Sequence, residues 1–528
     1  MLRTYWEKFI SRMKRISLIK DKTFFWGIII AIAFIYNYNH ILFSRPIGIH
    51  QWRNCVSASY ALCYYYDGNF LEPKAGNFYA DDFTSQVVML ECPVFYYFVS
   101  ILYRIFGYHE FLFRLSNVLI GFFGLFSLFK MSQLLLKDKV TSIFVSLIIF
   151  TSTVYAFYLN NFITDATGLS FALLGLYQFY RYYHFKKFRF FLFSMFFAAI
   201  AGLLKAQSLM IYFSLAALFF FEIVLKIKFT KSGSKIFQKP WPVIAGFIGV
   251  IIVVCSWYLY AHNYTIEHHS ISSNRFLRSA YWNWSKATTV SVWDQFVFRF
   301  KEGYFHSPKL IYFAALLFIS NLIFIKKYNR LLNFFLLMVF VQGVLLFNII
   351  FYLSIGRCDY YQINNLLFLA ILFLNFFWFL KHNFPKIFNS NLFRFGVIIL
   401  GILLVNVGRK GMKNKYSDWF YFNSGQRVEK GGAITPYLRN LGIQREDRVY
   451  YTPDPSMNIS LYLMDQVGNT DFKLEGSRKQ NIEKLKEKGL KYLMIADTEI
   501  LTDSTLFEYT TPEKKMGEFN GVHIFRIE

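Results

Sequence analysis

The stretch PIGIHQWRNCVSASYALCYYYDGNFLEPKAGNFYADDFTSQVVMLECP, residues 46–93, decides how the rest of the chain is read. It lies between two long apolar segments and is too polar to cross a bilayer. It collects His50, Trp52, Arg53, Asp67, Glu72, Asp81, Asp82 and Glu91. Aromatic, amphipathic runs flank this cluster, Tyr60 to Tyr66 and then Val94 to Phe106. Such runs suit helices lying at a membrane surface, with their rings at headgroup depth. A long first loop between spans is uncommon unless it has a function. The stretch therefore reads as half of an active site, held against lipid by the rest of the chain.

Working outward, the 528 residues are 55% hydrophobic and 21% aromatic with only 17% charged, and apolar runs of 18 or more residues recur. That pattern is a multi-span membrane protein. The first apolar run follows a mostly polar leader and has no small-residue cleavage site, so it reads as a retained span. The net charge of +25 would suggest nucleic acid in a soluble protein. Here the Lys and Arg collect in loops expected to face the cytoplasm and its anionic headgroups. No basic-aromatic nucleic-acid module is present, so nucleic acid is not an expected partner. The five cysteines include no CxxC pair, which argues against a thiolate zinc site. A Cys55–Cys63 disulfide is conceivable in an oxidising compartment, but unpaired thiols are expected.

Seven basic residues between Arg3 and Lys22 precede the first span, roughly Thr23 to Phe43, and place the N-terminus in the cytoplasm. Further spans are expected at Glu110–Leu136, Val140–Tyr158, from Asp165 to the basic RYYHFKKFR (181–189), and Phe190–Leu204. The last of these is short, and is kept because inside and outside loops alternate only if it crosses. The series continues to Leu225, through Pro242–Tyr260, roughly 309–325 and 331–353, a span ending at Lys381, and Phe395–Val407. Eleven spans put the C-terminus outside. The expected organisation is a transmembrane domain over 1–407, with outer loops 44–109, 261–308 and 354–362, and an extracytoplasmic α/β domain over 408–528. In that second domain Thr435-Pro436 reads as an N-cap with Pro at the first helical position, and Gly442 as the helix end. Arg448–Tyr451 and Lys491–Ile495 read as strands, Ser456–Asp465 and Asn481–Lys488 as helices, and Asn520-Gly521 as a hairpin turn. No GxGxxG or P-loop is present, so no nucleotide is assigned.

The motifs His50-Gln-Trp-Arg53, Glu91-Cys-Pro93, Phe106-Gly-Tyr-His-Glu-Phe111, Asn161-Phe-Ile-Thr-Asp165, Leu204-Lys205 and Asp359-Tyr-Tyr361 occur in this order. All fall on the expected outer side. The pattern resembles the GT-C membrane glycosyltransferases, in particular glycosyltransferase family 39, with its protein O-mannosyltransferases and lipid A aminoarabinose transferase. The resemblance implies an α-helical polytopic fold and transfer of a sugar from a polyprenyl-phosphate carrier at the outer face, in a bacterial inner membrane. The acceptor would be a glycan, lipid or protein. In the family a first-loop acid commonly serves as base. Here the residues after Arg53 are Asn-Cys-Val-Ser, and His50, Glu91, Asp81 or Asp82 could take that role.

The residues support the same chemistry independently. A carrier confined to the bilayer needs a groove at its surface, and its leaving phosphate needs cationic donors. Arg53, Lys205 and Arg357 are the candidates; the plainer reading is interfacial anchors with snorkelling stems, or for Arg357 an ion pair with Asp359. The acceptor hydroxyl needs a base, usually a carboxylate. Asp165, opening a span at the outer surface, is the leading catalytic candidate, with His50 and Glu91; a helix cap would also explain Asp165. Trp52, Asp81, Asp82, Asp359 and Tyr360 are candidate sugar or acceptor contacts, whereas Asp67 beside Gly68 reads as a turn. Glu267-His268-His269 with Glu91 could hold a divalent metal, although adjacent His do not share a helical face. The requirement is therefore either no cofactor or a divalent metal. A flippase of lipid-linked sugars fits less well, because few ionisable groups fall at mid-membrane depth. A non-catalytic envelope scaffold is the other rival, and it predicts indifference to Asp165 or Lys205.

Overall fold

Long apolar runs close their backbone hydrogen bonds within themselves, so they fold as helices wherever lipid replaces water. A computed structural model describes residues 20–72, 74–79, 86–88, 91–230, 233–268, 280–417, 434–472 and 474–527. The chain divides into two compact units, one within residues 1–43, 114–255 and 274–415, the other within 44–113, 256–273 and 416–528.

The first unit is helical. Among the described residues of the chain, six helices are long and apolar enough to cross a membrane: Glu110–Leu136, Ala206–Ile223, Pro240–Glu267, Arg330–Ile350, Asp359–Asn383 and Asn391–Tyr416. Lys139–Phe150 and Thr153–Leu159 would together make a seventh, bent by 75° at Thr151-Ser152. The shorter Phe188–Leu204 and Pro308–Ile323 are also apolar. Two expected spans are interrupted. The first is the helix Asp21–Ile35, which ends where Asn37 turns left-handed at φ 61°. The run after Arg330 is regular only to Val339 and widens into a π-helix over Phe340–Phe347.

Small residues let these helices approach closely. A Cβ on Gly124 would lie 2.8 Å from Ser170 Cα, and one on Gly175 would lie 3.2 Å from the Ser194 carbonyl. Ser194 Oγ donates to the Gly175 carbonyl at 2.8 Å across the same contact, joining the helices Asp165–Phe185 and Phe188–Leu204. Two groups of polar side chains in the interior are paired. Asn321 and Asn375 both donate to Asn333 Oδ1, at 2.9 and 2.6 Å. Glu222 accepts the backbone N–H groups of Ile236 and Phe237 at 2.8–2.9 Å, pinning the basic loop after the helix Met210–Ile223.

The second unit is a sheet with helices. Its strands are β1 (Lys74–Tyr79), β2 (Gln86–Val88), β3 (Val449–Thr452), β4 (Gly468–Asn469), β5 (Tyr492–Ile495), β6 (Lys515–Phe519) and β7 (Val522–Arg526). Their order is β2-β1-β4-β3-β5-β7-β6. The β1–β4, β4–β3 and β3–β5 pairs are parallel, so helices Ile459–Leu463 and Arg478–Lys486 make the crossovers. Ser477 and Gln480 close a capping box on the second of these. Asn520 and Gly521, both at positive φ, turn β6 into β7 as expected. Tyr450, Leu485, Leu493, Ile495 and Phe525 lie in its core.

Two expectations are corrected, and one expected absence has a geometric reason. The domain boundary at 407/408 does not hold, because the last apolar helix runs through Asn391–Ser417 and the first loop belongs to the same unit as the C-terminal residues. Thr435 is not a cap; it lies inside the helix Ile434–Asn440 and donates to the Met464 carbonyl at 3.0 Å. Gly442 does end that helix, at φ 81°. A Cys55–Cys63 bridge is excluded by geometry. Both sit on the helix Gln51–Tyr66, ~12 Å apart along its axis at a rise of about 1.5 Å per residue, beyond disulfide reach.

Candidate active site

In the first unit the loop before Asp165 is held by its neighbours, because its backbone groups would otherwise be buried without partners. Arg114 Nη1 donates to the Asn160 carbonyl at 2.7 Å, and the guanidinium lies 4.6 Å from the Phe162 ring. Asn117 Nδ2 donates to the Asn161 carbonyl at 2.8 Å, and its Oδ1 accepts from Thr167. The loop therefore delivers Asp165 to the start of its helix in one position. The N-cap is Thr164, which makes no side-chain cap bond, so capping does not account for Asp165.

Asp165 is fully buried, and its Oδ2 lies 3.3 Å from Lys205 Nζ. Lys205 interrupts the helical path between Phe188–Leu204 and the 3₁₀ turn Ala206–Leu209, with extended backbone at φ −158°. Gly168, one turn past Asp165, makes room for this approach: a Cβ there would lie 2.7 Å from Ser208 Oγ and 3.4 Å from Lys205 Cβ. Lys205 Nζ also lies 5.4 Å from the Tyr361 ring, and Ser208 Oγ donates to Asn364 at 3.0 Å. The two residues that sequence reasoning assigned separately, to base and to phosphate, thus form one buried ion pair.

Asp359 is not shown paired with Arg357, whose side chain lies outside the described residues. It is fully buried against Lys415, and it accepts from Tyr158 at 2.5 Å. Tyr360 meets Tyr158 edge-on at 5.6 Å. Lys415 went unread because Arg409, Lys410 and Lys413 around it look like the start of an aqueous domain. A usable signal was present. Gly408 and Gly411 precede Lys415 on one helical face, and Cβ atoms on these glycines would lie 2.8 Å from the Thr151 carbonyl and 2.5 Å from Thr153.

In the second unit, Arg53 and Glu91 form the other pair. Arg53 Nη2 lies 3.1 Å from each Glu91 oxygen, and Tyr96 donates to Glu91 at 3.5 Å. Arg53 and the half-buried Trp52 lie in the first turn of Gln51–Tyr66, which His50 opens in left-handed backbone at φ 57°. Strained backbone of this kind is concentrated at functional sites. His50 is itself 6% exposed. Burial holds the Tyr60 phenol well above its usual range, with Arg53 opposing. Burial also pushes the Cys92 thiol up to about 12, so it is no nucleophile at neutral pH. Asp67 follows the helix end at Tyr66 and precedes Gly68 at φ 71°, as a turn residue should.

Asp81, Asp82 and His269 lie outside the described residues. His268 stacks on Tyr264 at 4.0 Å, with its Nδ1 2.9 Å from the Tyr264 carbonyl. Among the described residues no three His, Cys, Asp or Glu side chains gather as metal ligands.

Residues 91–258 match the family described as dolichyl-phosphate-mannose-protein mannosyltransferase. No curated protein matches the chain in sequence. In structure the chain is similar to ArnT from Cupriavidus metallidurans, with a TM-score of 0.56 at 11% identity over 95% of this chain and 97% of that one. It is also similar to the Archaeoglobus fulgidus oligosaccharyltransferase, with a TM-score of 0.54 at 11% identity over 91% and 70%. The arabinofuranosyltransferase AftD from Mycobacteria gives 0.53 at 11% identity over 95% and 40%. That ArnT has been solved with undecaprenyl phosphate bound, and the archaeal enzyme with an inhibitory peptide and a dolichol-phosphate.

Proposed function

We propose that this chain, a GT-C membrane glycosyltransferase by its fold, moves a sugar from a polyprenyl-phosphate carrier to an acceptor hydroxyl at the outer face of a cytoplasmic membrane. The observation that carries the reading is the buried Asp165–Lys205 pair at the head of an apolar helix. An ion pair kept in so dry a place is a weak contribution to stability and a strong candidate for function. In the reaction the bond from the anomeric carbon to the carrier oxygen breaks as the bond to the acceptor oxygen forms. Lys205 meets the negative charge that develops on the leaving phosphate. Asp165 takes or orients the acceptor proton. Arg53, Glu91 and His50, in the other unit, are the alternative cation, carboxylate and base if Asp165 and Lys205 prove structural. The lipid-bound states of ArnT and of the archaeal enzyme favour a polyprenyl carrier over a soluble nucleotide sugar.

Purified full-length protein, given a panel of polyprenyl-phosphate sugars and envelope acceptors, should release polyprenyl phosphate and yield glycosylated acceptor in equal amounts. Failure of every donor, with the protein folded and inserted, would sink the reading.

The same reading sets a topology of eleven spans, with the N-terminus inside and residue 528 outside. It draws on the basic N-terminal segment and on counting Phe188–Leu204 and Pro308–Ile323 as crossings. A reporter fused after Glu528 should be active only if it is of the exported type. Activity of a cytoplasm-only reporter would remove one crossing, most readily the 17-residue Phe188–Leu204.

A further inference from the structure

Asp359 and Lys415 make a second dry ion pair in the first unit, 0% and 2% exposed. Tyr158 donates to Asp359 Oδ1 at 2.5 Å, and Lys415 Nζ lies 4.6 Å from the Tyr304 ring. Burying two charges is costly unless their lone pairs and protons are met, and one attested use of such a pair is to hold one arrangement against others. Two of its members border segments that reach Asp165 and Lys205. Tyr158 lies at the end of the helix Thr153–Leu159, and residues 160–164 run from there into Asp165. Asp359 opens the 3₁₀ turn Asp359–Asn365, whose Tyr361 ring faces Lys205 Nζ at 5.4 Å and whose Asn364 accepts from Ser208. Lys415 anchors both to the last apolar helix, Asn391–Ser417.

We propose that Tyr158, Asp359 and Lys415 are positioning residues for the carrier-phosphate site, acting through Lys205 without touching substrate. Together they hold the two walls between which the Lys205 ammonium is presented. This rests on the reading that Lys205 binds the carrier phosphate. It moves Asp359 from the sugar contacts to the frame of the site.

The test uses full-length enzyme in lipid. Removing Lys415 alone would strand a buried carboxylate, so the informative variants are Tyr158→Phe, which keeps the ring, and the double Asp359→Asn/Lys415→Met, which removes both charges. Both should insert and melt close to wild type. The KM for the polyprenyl-phosphate sugar should rise about tenfold, the order of one charge-assisted contact, with the acceptor KM unchanged. Lys415→Arg, which restores the charge, should recover most of the donor KM. A stable double variant with wild-type donor KM would overturn the proposal. So would parallel loss of kcat and both KM values that tracks the melting temperature in both variants, since that is a purely structural node. Binding of polyprenyl phosphate alone separates this from the reaction itself. A wild type that binds carrier without transferring sugar, and loses binding in the two variants, keeps the node and fails the proposed reaction. A wild type that turns over, with both variants unchanged in donor KM, does the reverse.

Discussion

Asp165→Asn is expected to lower sugar transfer by on the order of 10²-fold or more, the usual scale of a positioned acid–base group. Asparagine has nearly the same volume and shape, so packing around the fully buried site is kept. Helix capping is not at stake, because Thr164 holds the cap position. The amide cannot take a proton from the acceptor or carry the charge that balances Lys205. It also leaves the Lys205 ammonium, 7% exposed, without its carboxylate. One-sided loss of a buried pair costs roughly 3–5 kcal/mol, so the melting temperature should fall as well. The double variant Asp165→Asn/Lys205→Gln should regain much of that stability and none of the activity. Initial rates at saturating donor and acceptor, beside thermal melting, read both effects. Near-normal turnover in a stable Asp165→Asn would leave Asp165 structural and move the base to His50 or Glu91. A pH–rate profile then decides between them, because loss of a titration near neutrality in His50→Gln alone would assign the base to His50.

Lys205→Gln should raise the donor KM by roughly 10- to 10²-fold, since a charge-assisted contact to phosphate contributes about 1.5–3 kcal/mol and 1.4 kcal/mol is tenfold. The acceptor KM should stay where it is, because in the proposed reaction the missing charge meets the carrier phosphate. The stability loss that accompanies a stranded Asp165 is removed in the Asp165→Asn/Lys205→Gln pair, which needs no activity for the measurement. Equilibrium binding of polyprenyl phosphate to that pair should be weakened by the same factor. Wild-type affinity there would reduce Lys205 to a structural partner of Asp165.

How much of this was legible depended on the range of the interaction. The helices were, because an apolar run in lipid has no other way to satisfy its backbone. Glu110–Leu136 coincides with its expected bounds, and Phe188–Leu204 differs by two residues at one end. The local turn at Asn520-Gly521 was legible for a similar reason, since only a few residue types accept positive φ there. The residues that form the two ion pairs were legible as candidates too. Asp165, Lys205, Arg53 and Glu91 stood out as ionisable groups beside membrane segments.

Their pairing was not. Lys205 meets Asp165 because Gly168 leaves no side chain in the way, and Arg53 meets Glu91 because the helices Gln51–Tyr66 and Val94–Phe106 pack in one unit. Neither contact leaves a local mark in the chain. Lys415 was hidden for a sharper reason. Composition averages over all faces of a helix, and only the face carrying Gly408, Gly411 and Lys415 is buried. The same holds for β1, where Phe78 stands in register with Gly468. A Cβ on Gly468 would lie 1.9 Å from the Val449 carbonyl oxygen, so only glycine lets β4 lie against β3. Local hydropathy and backbone preference were enough for the elements and the charged residues. Their partners were chosen by steric approach between segments far apart in sequence, which exists only once the chain has folded.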